Sequence, residues 1–479
     1  MLNKKQKRGA ALICAAAVCM GVTSCGGKKG DENTTLTMLI PGDAQTDIAS
    51  VMEKANEITK EKIGAGLDLQ FIDNGAYNEK MNMKMASRDD TYDVAFVGYL
   101  STYDNAIKNE ALAPLTELIE KNAPELKDAV SDYMWQDAEA DGEIYAVPNE
   151  QVVFNQYAYF VQKDLADKYG WTKTKIDSPE ELEPLMEQIK NGENGIYTYR
   201  TNYGVAMWLL NNYEEIGGGI VIPTDGDYKN AQWQVETPEY KEGVKKLREW
   251  YQKGYIREDV ASVTDDSTDL AANRYAIYSA RWKPGAEAQV MNSYGKEYMA
   301  VLVGDSYMKN RASQDTMLGV NVNSKNKEKA IKLISLLNTD KDFYNLICFG
   351  IEGKHYEKNA DGKIKLIQNS GYAPNAAWKF GNQFNALLLE NESDDVWEET
   401  KRLNEECKKS PVQGMYFNSD PVSAQIAQVT ALNDEYKALT NGSRDYNTIW
   451  DEMIKRYEEA GIKDILTEVS KQLEEFMNK

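Results

Sequence analysis

From residue 36 onward the apolar positions alternate between short period-two runs and helical faces. Residues 36–40 read as a strand, 47–60 as a helix, 67–71 as a second strand and 77–87 as a second helix. Residues 92–98 form a third strand, and its nearly unbroken apolar run is what a parallel strand covered on both faces requires. Further along, Ser178-Pro179-Glu180-Glu181 predicts a helix start with cap, proline in the first turn and capping-box glutamate, and Asn191-Gly192 predicts its end. Thr237-Pro238 opens another helix that carries Val244, Leu247 and Tyr251 on one face and closes near Gly254. Strands return late, over residues 275–282 and 298–303. The last third is mostly helical, with apolar faces at Ala330, Ile331, Ile334 and Leu337, at Trp450, Ile454 and Tyr457, and from Ile462 to Phe476. Sheet residues on both sides of a helical block predict an α/β chain that crosses between two lobes more than once.

The N-terminus follows a different pattern. Lys4, Lys5, Lys7 and Arg8 precede an apolar run, residues 10–20, that is too short for a permanent membrane span. The junction Val22-Thr23-Ser24-Cys25 resembles the bacterial lipobox, which implies cleavage before Cys25 and acylation of its thiol. Residues 1–24 are therefore expected to be a lipoprotein signal peptide and 25–34 a lipidated polar linker. Each buried acyl methylene contributes about 0.8 kcal/mol, so a multiply acylated cysteine suffices to hold a domain at a membrane. The expected location is the extracytoplasmic face of a bacterial cell membrane.

The formal charge of −21 becomes −25 once the four basic residues of the signal are removed. Such a body repels phosphate backbones and anionic headgroups, which argues against nucleic acid and leaves the membrane contact to the lipid. Cleavage leaves three of the five cysteines and Cys25 is committed to lipid; of the remaining Cys348 and Cys407, Cys348 lies in an apolar run as a small buried hydrophobe, so no disulfide framework is expected. Tyrosine stands out, 29 against 10 Phe and 9 Trp, which suits either half-buried positions of an acidic protein or a cleft for a ligand with apolar faces and hydroxyls.

Several chemistries lack their residues. His355 is the only histidine, which excludes histidine-rich zinc sites and leaves any Ser-His-Asp triad dependent on it. No Gly-x-Ser-x-Gly elbow occurs, and Gly353-Lys354-His355 fails the phosphate-loop pattern. Asp225, Asp227 and Asn230 read as a solvated turn, because no glutamate closes a calcium loop. No metal or cofactor is expected. No carboxylate pair is singled out by spacing, so a glycosidase is unsupported rather than excluded.

Five segments, in order, resemble a known family. They are Tyr145-Ala146-Val147-Pro148 with residues 151–160, Tyr278-Ser279-Ala280-Arg281-Trp282-Lys283-Pro284-Gly285, Gly350-Ile351-Glu352-Gly353-Lys354-His355-Tyr356, Trp378-Lys379-Phe380-Gly381-Asn382, and the tail from Asp420-Pro421-Val422 to Ala460-Gly461-Ile462. The chain is similar to lipoprotein solute-binding subunits of ABC importers, the LplA/LipO-like branch of the extracellular sugar-binding group. That resemblance implies an α/β, two-lobed, periplasmic-binding-protein-like (type II) fold with discontinuous domains, hinge strands and a helical C-terminal part. Lobe 1 is expected at 35–147 and 270–314, lobe 2 at 148–269 and 315–479, with hinge crossings near 148–154, 262–267 and 317–323.

Ligands of open α/β sheets lie beyond the carboxyl ends of strands. Trp282, after the returning strand, resembles the tryptophan on which sugars stack in related proteins, and a lobe core is its alternative place. Asp43 could accept two hydroxyl hydrogen bonds or cap the helix that follows. Tyr99, Glu150, Gln151 and Tyr157 map to the cleft wall or hinge, and Trp378 to the second lobe's lining or its core. Glu352 and His355 are expected to hold a turn. The function implied is a monomeric, lipid-tethered receptor that captures a small-molecule solute, a carbohydrate and in particular an oligosaccharide, and passes it to the transmembrane subunits of an ABC permease. A surface glycosidase, or a sensory lipoprotein for a peptide or other polar solute, is the alternative.

Overall fold

The computed structural model describes residues 34–98, 102–140, 142–210 and 212–478. Cys25, the signal, all of the linker but Thr34, and Tyr99 lie outside them. The principal strands are β1 (Thr35–Pro41), β2 (Gly66–Ile72), β3 (Val94–Gly98), β4 (Ala146–Pro148), β5 (Asn155–Gln162), β6 (Tyr197–Arg200), β7 (Tyr275–Arg281), β8 (Tyr298–Met308), β9 (Thr316–Val320) and β10 (Lys408–Lys409). They form two sheets, one per lobe.

The first sheet runs β2-β1-β3-β9-β4. Its first three strands are parallel, as their apolar runs require, and helices Ile48–Ile63 and Asn74–Ala86 make the crossovers. β9 enters antiparallel to both β3 and β4. The second sheet runs β10-β8-β5-β7-β6, with β5 antiparallel to β7 and β8. Each sheet has its own core. One gathers β1 and β3 with helix Lys327–Thr339, and the other gathers β5, helix Pro238–Gln252 and the C-terminal helices. The predicted caps are present: Glu181 accepts from the Ser178 amide, and Thr237 Oγ1 accepts from the Tyr240 amide at 3.2 Å.

The lobe boundaries differ from the expectation. Residues 270–314 do not rejoin lobe 1, because β7 and β8 both hydrogen-bond to β5, with Ile277 opposite Val161 and Leu302 opposite Ala158. The stretch from β9 to Glu406 belongs to lobe 1 instead, where Leu333, Ile334 and Phe343 enter its core. The chain therefore crosses at 149–154, at 309–315 and around Cys407. Residues 262–267 are not a crossing, since Asp266 is paired with Arg200 of β6 inside lobe 2. The crossing expected at 317–323 falls before β9 instead, at 309–315. Cys348 and Cys407 are free and buried, and burial pushes both thiols up.

Candidate ligand-binding cleft

Where the crossings meet, the lobes enclose two cavities of ≈ 670 and ≈ 660 Å³, and Asp315 lines both. The first is built from the end of β7, the helix Ala286–Tyr294, Gln151 of the first crossing, and Thr316, Trp378 and Gln383 of lobe 1. Trp282 is fixed here by its backbone amide, which continues the β5–β7 ladder to Gln156 O at 2.7 Å, and by its indole N–H to Glu287 at 3.3 Å. Its half-buried ring packs against the Phe160, Tyr278 and Tyr298 cluster. Trp378 reaches the same cavity from lobe 1, not from the second lobe as expected, because its short 3₁₀ turn packs on the first sheet, its ring edge-on to Phe96 at 6.2 Å. That turn is held by the Tyr344 hydroxyl on Ala377 O and by Asn149 on Trp378 O.

Of the residues singled out by sequence, Trp282, Gln151 and Trp378 thus come together. Gln151 Nε2 is already committed to Thr316 Oγ1 at 2.7 Å, a bond that joins the first crossing to β9. Tyr157 lines the second cavity, edge-on to Tyr203 at 5.4 Å, and burial raises its phenol pKa. Gly98, the residue before Tyr99, lines that cavity too. Glu150 faces elsewhere: its buried carboxylate accepts from the Ser131 amide at 2.7 Å and hydroxyl at 3.0 Å, in a separate depression of ≈ 330 Å³. Burial is the foremost cause and raises its pKa, while the Ser131 bonds oppose that shift. Asp43 is exposed on the loop after β1 and is not on the wall of either cavity. It does not cap the next helix, which starts after Asp47.

Sequence reasoning did not single out four wall residues. Glu214 orders the second cavity by accepting from the Tyr307 hydroxyl and the Asn310 amide, each at 2.6 Å. Tyr278, Lys283 and Gln383 line the first, and Tyr278 Oη, Lys283 Nζ and Gln383 Oε1 are all enclosed with no hydrogen-bond partner among the described residues. Tyr278 and Lys283 sit in the same segment as Trp282, and Gln383 follows the segment of Trp378, so the signal was proximity to the tryptophans. Among the described residues no cluster of His, Cys, Asp or Glu could hold a metal, and no helix is long and apolar enough to cross a membrane.

A two-lobed cleft with an aromatic side chain from each lobe is the geometry of a trap for an organic solute. The family profile described as "Bacterial extracellular solute-binding protein" matches residues 55–347, more than half of the chain. The chain belongs to the bacterial extracellular solute-binding proteins. A second profile, a domain of unknown function (DUF3502), matches residues 411–478, the helical end that packs on lobe 2. This solute-binding protein is 29% identical over 482 residues to a carbohydrate ABC transporter substrate-binding protein of Streptococcus pneumoniae, covering 98% of this chain and 96% of the relative. The crystal structure of the N-glycan transport solute-binding protein NgtS from Streptococcus pneumoniae superposes with a TM-score of 0.84 at 27% identity, covering 93% of this chain and 99% of that one. NgtS in complex with Man5GlcNAc gives 0.75 at 28% identity, with the same coverage.

Proposed function

We propose that this solute-binding protein captures an oligosaccharide between its lobes and delivers it to the transmembrane subunits of an ABC permease. The observation that carries this reading is the pair Trp282 and Trp378 on one cavity wall, each from a different lobe. Sugars present apolar C–H faces to aromatic rings and hydroxyls to polar groups, and this cavity offers both. Two rings on separate lobes contact a solute together only when the lobes approach, so the bound solute favours the closed form by the contacts it gains there. The lower match to the glycan-bound NgtS supports reading the present arrangement as the open one.

The test is calorimetry and small-angle scattering with Man1GlcNAc and Man5GlcNAc, the ligands of the NgtS complexes, as first probes and a glycan library beyond them. Stoichiometric binding, a smaller radius of gyration and intact glycan after incubation are expected. An unchanged radius at saturation overturns the trap, and released sugars overturn the non-enzymatic reading. The tether is proposed on Cys25: mass spectrometry should find an acylated N-terminal cysteine, and Cys25→Ala should release the protein from membranes. Recovery of unacylated wild type from the membrane fraction would refute it.

A further inference from the structure

Three residues that line the first cavity each carry an enclosed polar atom without a partner among the described residues: Lys283 Nζ, Tyr278 Oη and Gln383 Oε1. Buried polar groups are nearly always paired, and these three belong to residues of one cavity lining, where a bound solute can supply partners. Lys283 is the demanding one. Its stem is half-buried, but its ammonium tip is fully enclosed, 5.3 Å from the Trp397 ring centroid. Burial lowers its pKa, and the neighbouring Glu392 only partly offsets this. Glu392 forms no ion pair with Lys283; its oxygens accept from the neutral Leu389 amide at 2.8 Å and Gln289 Nε2 at 3.2 Å, so it acts on the ammonium only through its charge.

The other charges on this wall are Arg281 and Asp315. Arg281 spends one N–H on Phe154 O at 3.2 Å, and the Asp315 carboxylate is held by Lys309 at 2.8 Å. The lining thus carries two cations, Lys283 and Arg281, and one carboxylate, and of the two cations Lys283 is the one whose charged tip has no hydrogen-bond or ion-pair partner among the described residues. A neutral sugar hydroxyl satisfies the geometry of Lys283 yet leaves its ammonium without an ion pair in a desolvated site. A carboxylate supplies both charge and acceptor lone pairs, and it can also accept from the Tyr278 hydroxyl. Gln383 Oε1 then remains for a ring hydroxyl.

Building on the saccharide reading above, we infer that the Lys283 end of this cavity recognises the carboxylate of an acidic sugar residue, a uronate or sialate, within the bound oligosaccharide. The experiment is a glycan array and calorimetry on the full chain in detergent, using matched pairs: glucuronate with glucose ends, galacturonate with galactose ends, sialylated with desialylated chains. In at least one pair the acidic member should bind at least tenfold tighter. Lys283→Met should bring that pair to within about twofold, and Lys283→Arg should keep the preference. Lys283→Met should melt no lower than wild type, because it removes a buried unpaired charge; Lys283→Gln serves in its place should Met not fold. Neutral glycans binding with no acidic member ahead, or a preference that survives both neutral variants, overturns this inference and leaves the saccharide reading standing. An array on which no glycan binds overturns both.

Discussion

Trp282 and Trp378 line one cavity from opposite lobes, although one follows a lobe 2 strand and the other sits on a lobe 1 turn against Phe96. Neither ring is the centre of its lobe's core; each is half-buried at the edge. The fold therefore loses little when either is truncated, and a ligand loses a flat apolar contact. Trp282→Ala and Trp378→Ala should each weaken glycan binding by about 1–3 kcal/mol, roughly a five- to 150-fold rise in Kd. Calorimetry checks the affinity and scattering checks closure. An unaltered affinity for Trp282→Ala would refute the stacking role while leaving the fold intact.

Arg311 bridges the lobes at the second crossing. Its guanidinium is 2.8 Å from Asp104 of lobe 1 and 5.0 Å from the Tyr416 ring centroid of lobe 2. The residue has a φ of 52°, a left-handed conformation rare for arginine. The pair is part-exposed and so contributes under about 1 kcal/mol. If these contacts belong to the open arrangement, Arg311→Ala should shift the population toward closure, reduce the ligand-free radius of gyration and tighten glycan binding by less than about fivefold. A larger radius or a weakened affinity would show that Arg311 supports the closed form instead.

The first three strands and their crossover helices were legible because period two and period 3.6 are local properties, complete within a dozen residues. Trp282 and Trp378 could be placed near a cleft because each stands within a family-like segment. The sheet to which β7 and β8 belong was not legible: an apolar strand carries no label for its partner, and β7 lies more than a hundred residues from β5 in sequence. Lys283 and Glu150 were missed or misplaced for a related reason. A lysine buried by Trp397 and a glutamate captured by Ser131 depend on tertiary neighbours that only the assembled lobes supply.

His355 ties a turn to the start of the first helix. Its Nδ1 accepts from the Ile351 amide at 2.8 Å, which leaves Nε2 to donate to Asp47 at 2.9 Å. The ring is buried, and a Cβ on Gly350, whose φ is 80°, would meet Nδ1 at 2.4 Å. His355→Ala should cost about 1–3 kcal/mol by removing a buried ring and leaving the part-buried Ile351 amide unpaired, with glycan affinity unchanged because the turn is outside both cavities. Lys354 foremost, then Ser50 and His355, hold the Asp47 carboxyl well below the usual range, and Lys84 foremost holds Asp89 down to about 2. Depressed carboxyls contribute stability that is present above their unfolded pKa, near 3.9, and lost as pH falls through the folded value. Melting temperature should drop between about pH 4 and pH 2, and Asp47→Asn should show a shallower drop from a lower starting point. Parallel curves for the two proteins would remove Asp47 from the account.

Lys379 tests the opposite end of the pH scale. It is buried beneath Trp378, its ammonium 4.7 Å from that ring's centroid, and it donates to Pro41 O at 2.7 Å and Asn74 at 3.3 Å. Burial lowers its pKa to about 8, with the Asp43 charge opposing. The unfolded lysine titrates near 10.4, so between about pH 8 and pH 10 the unfolded chain holds more protons than the folded one, and stability rises with pH. Buried tyrosines act in the other sense only above their unfolded value, near 10, since burial raises phenols such as Tyr92 to about 12. Comparing wild type with Lys379→Met isolates the lysine: the melting-temperature difference should move in favour of wild type from pH 8 to pH 10 and stay flat below pH 7. A difference constant from pH 7 to pH 10 would mean that Lys379 keeps its ordinary proton affinity, and that the Pro41 and Asn74 oxygens compensate its burial in full.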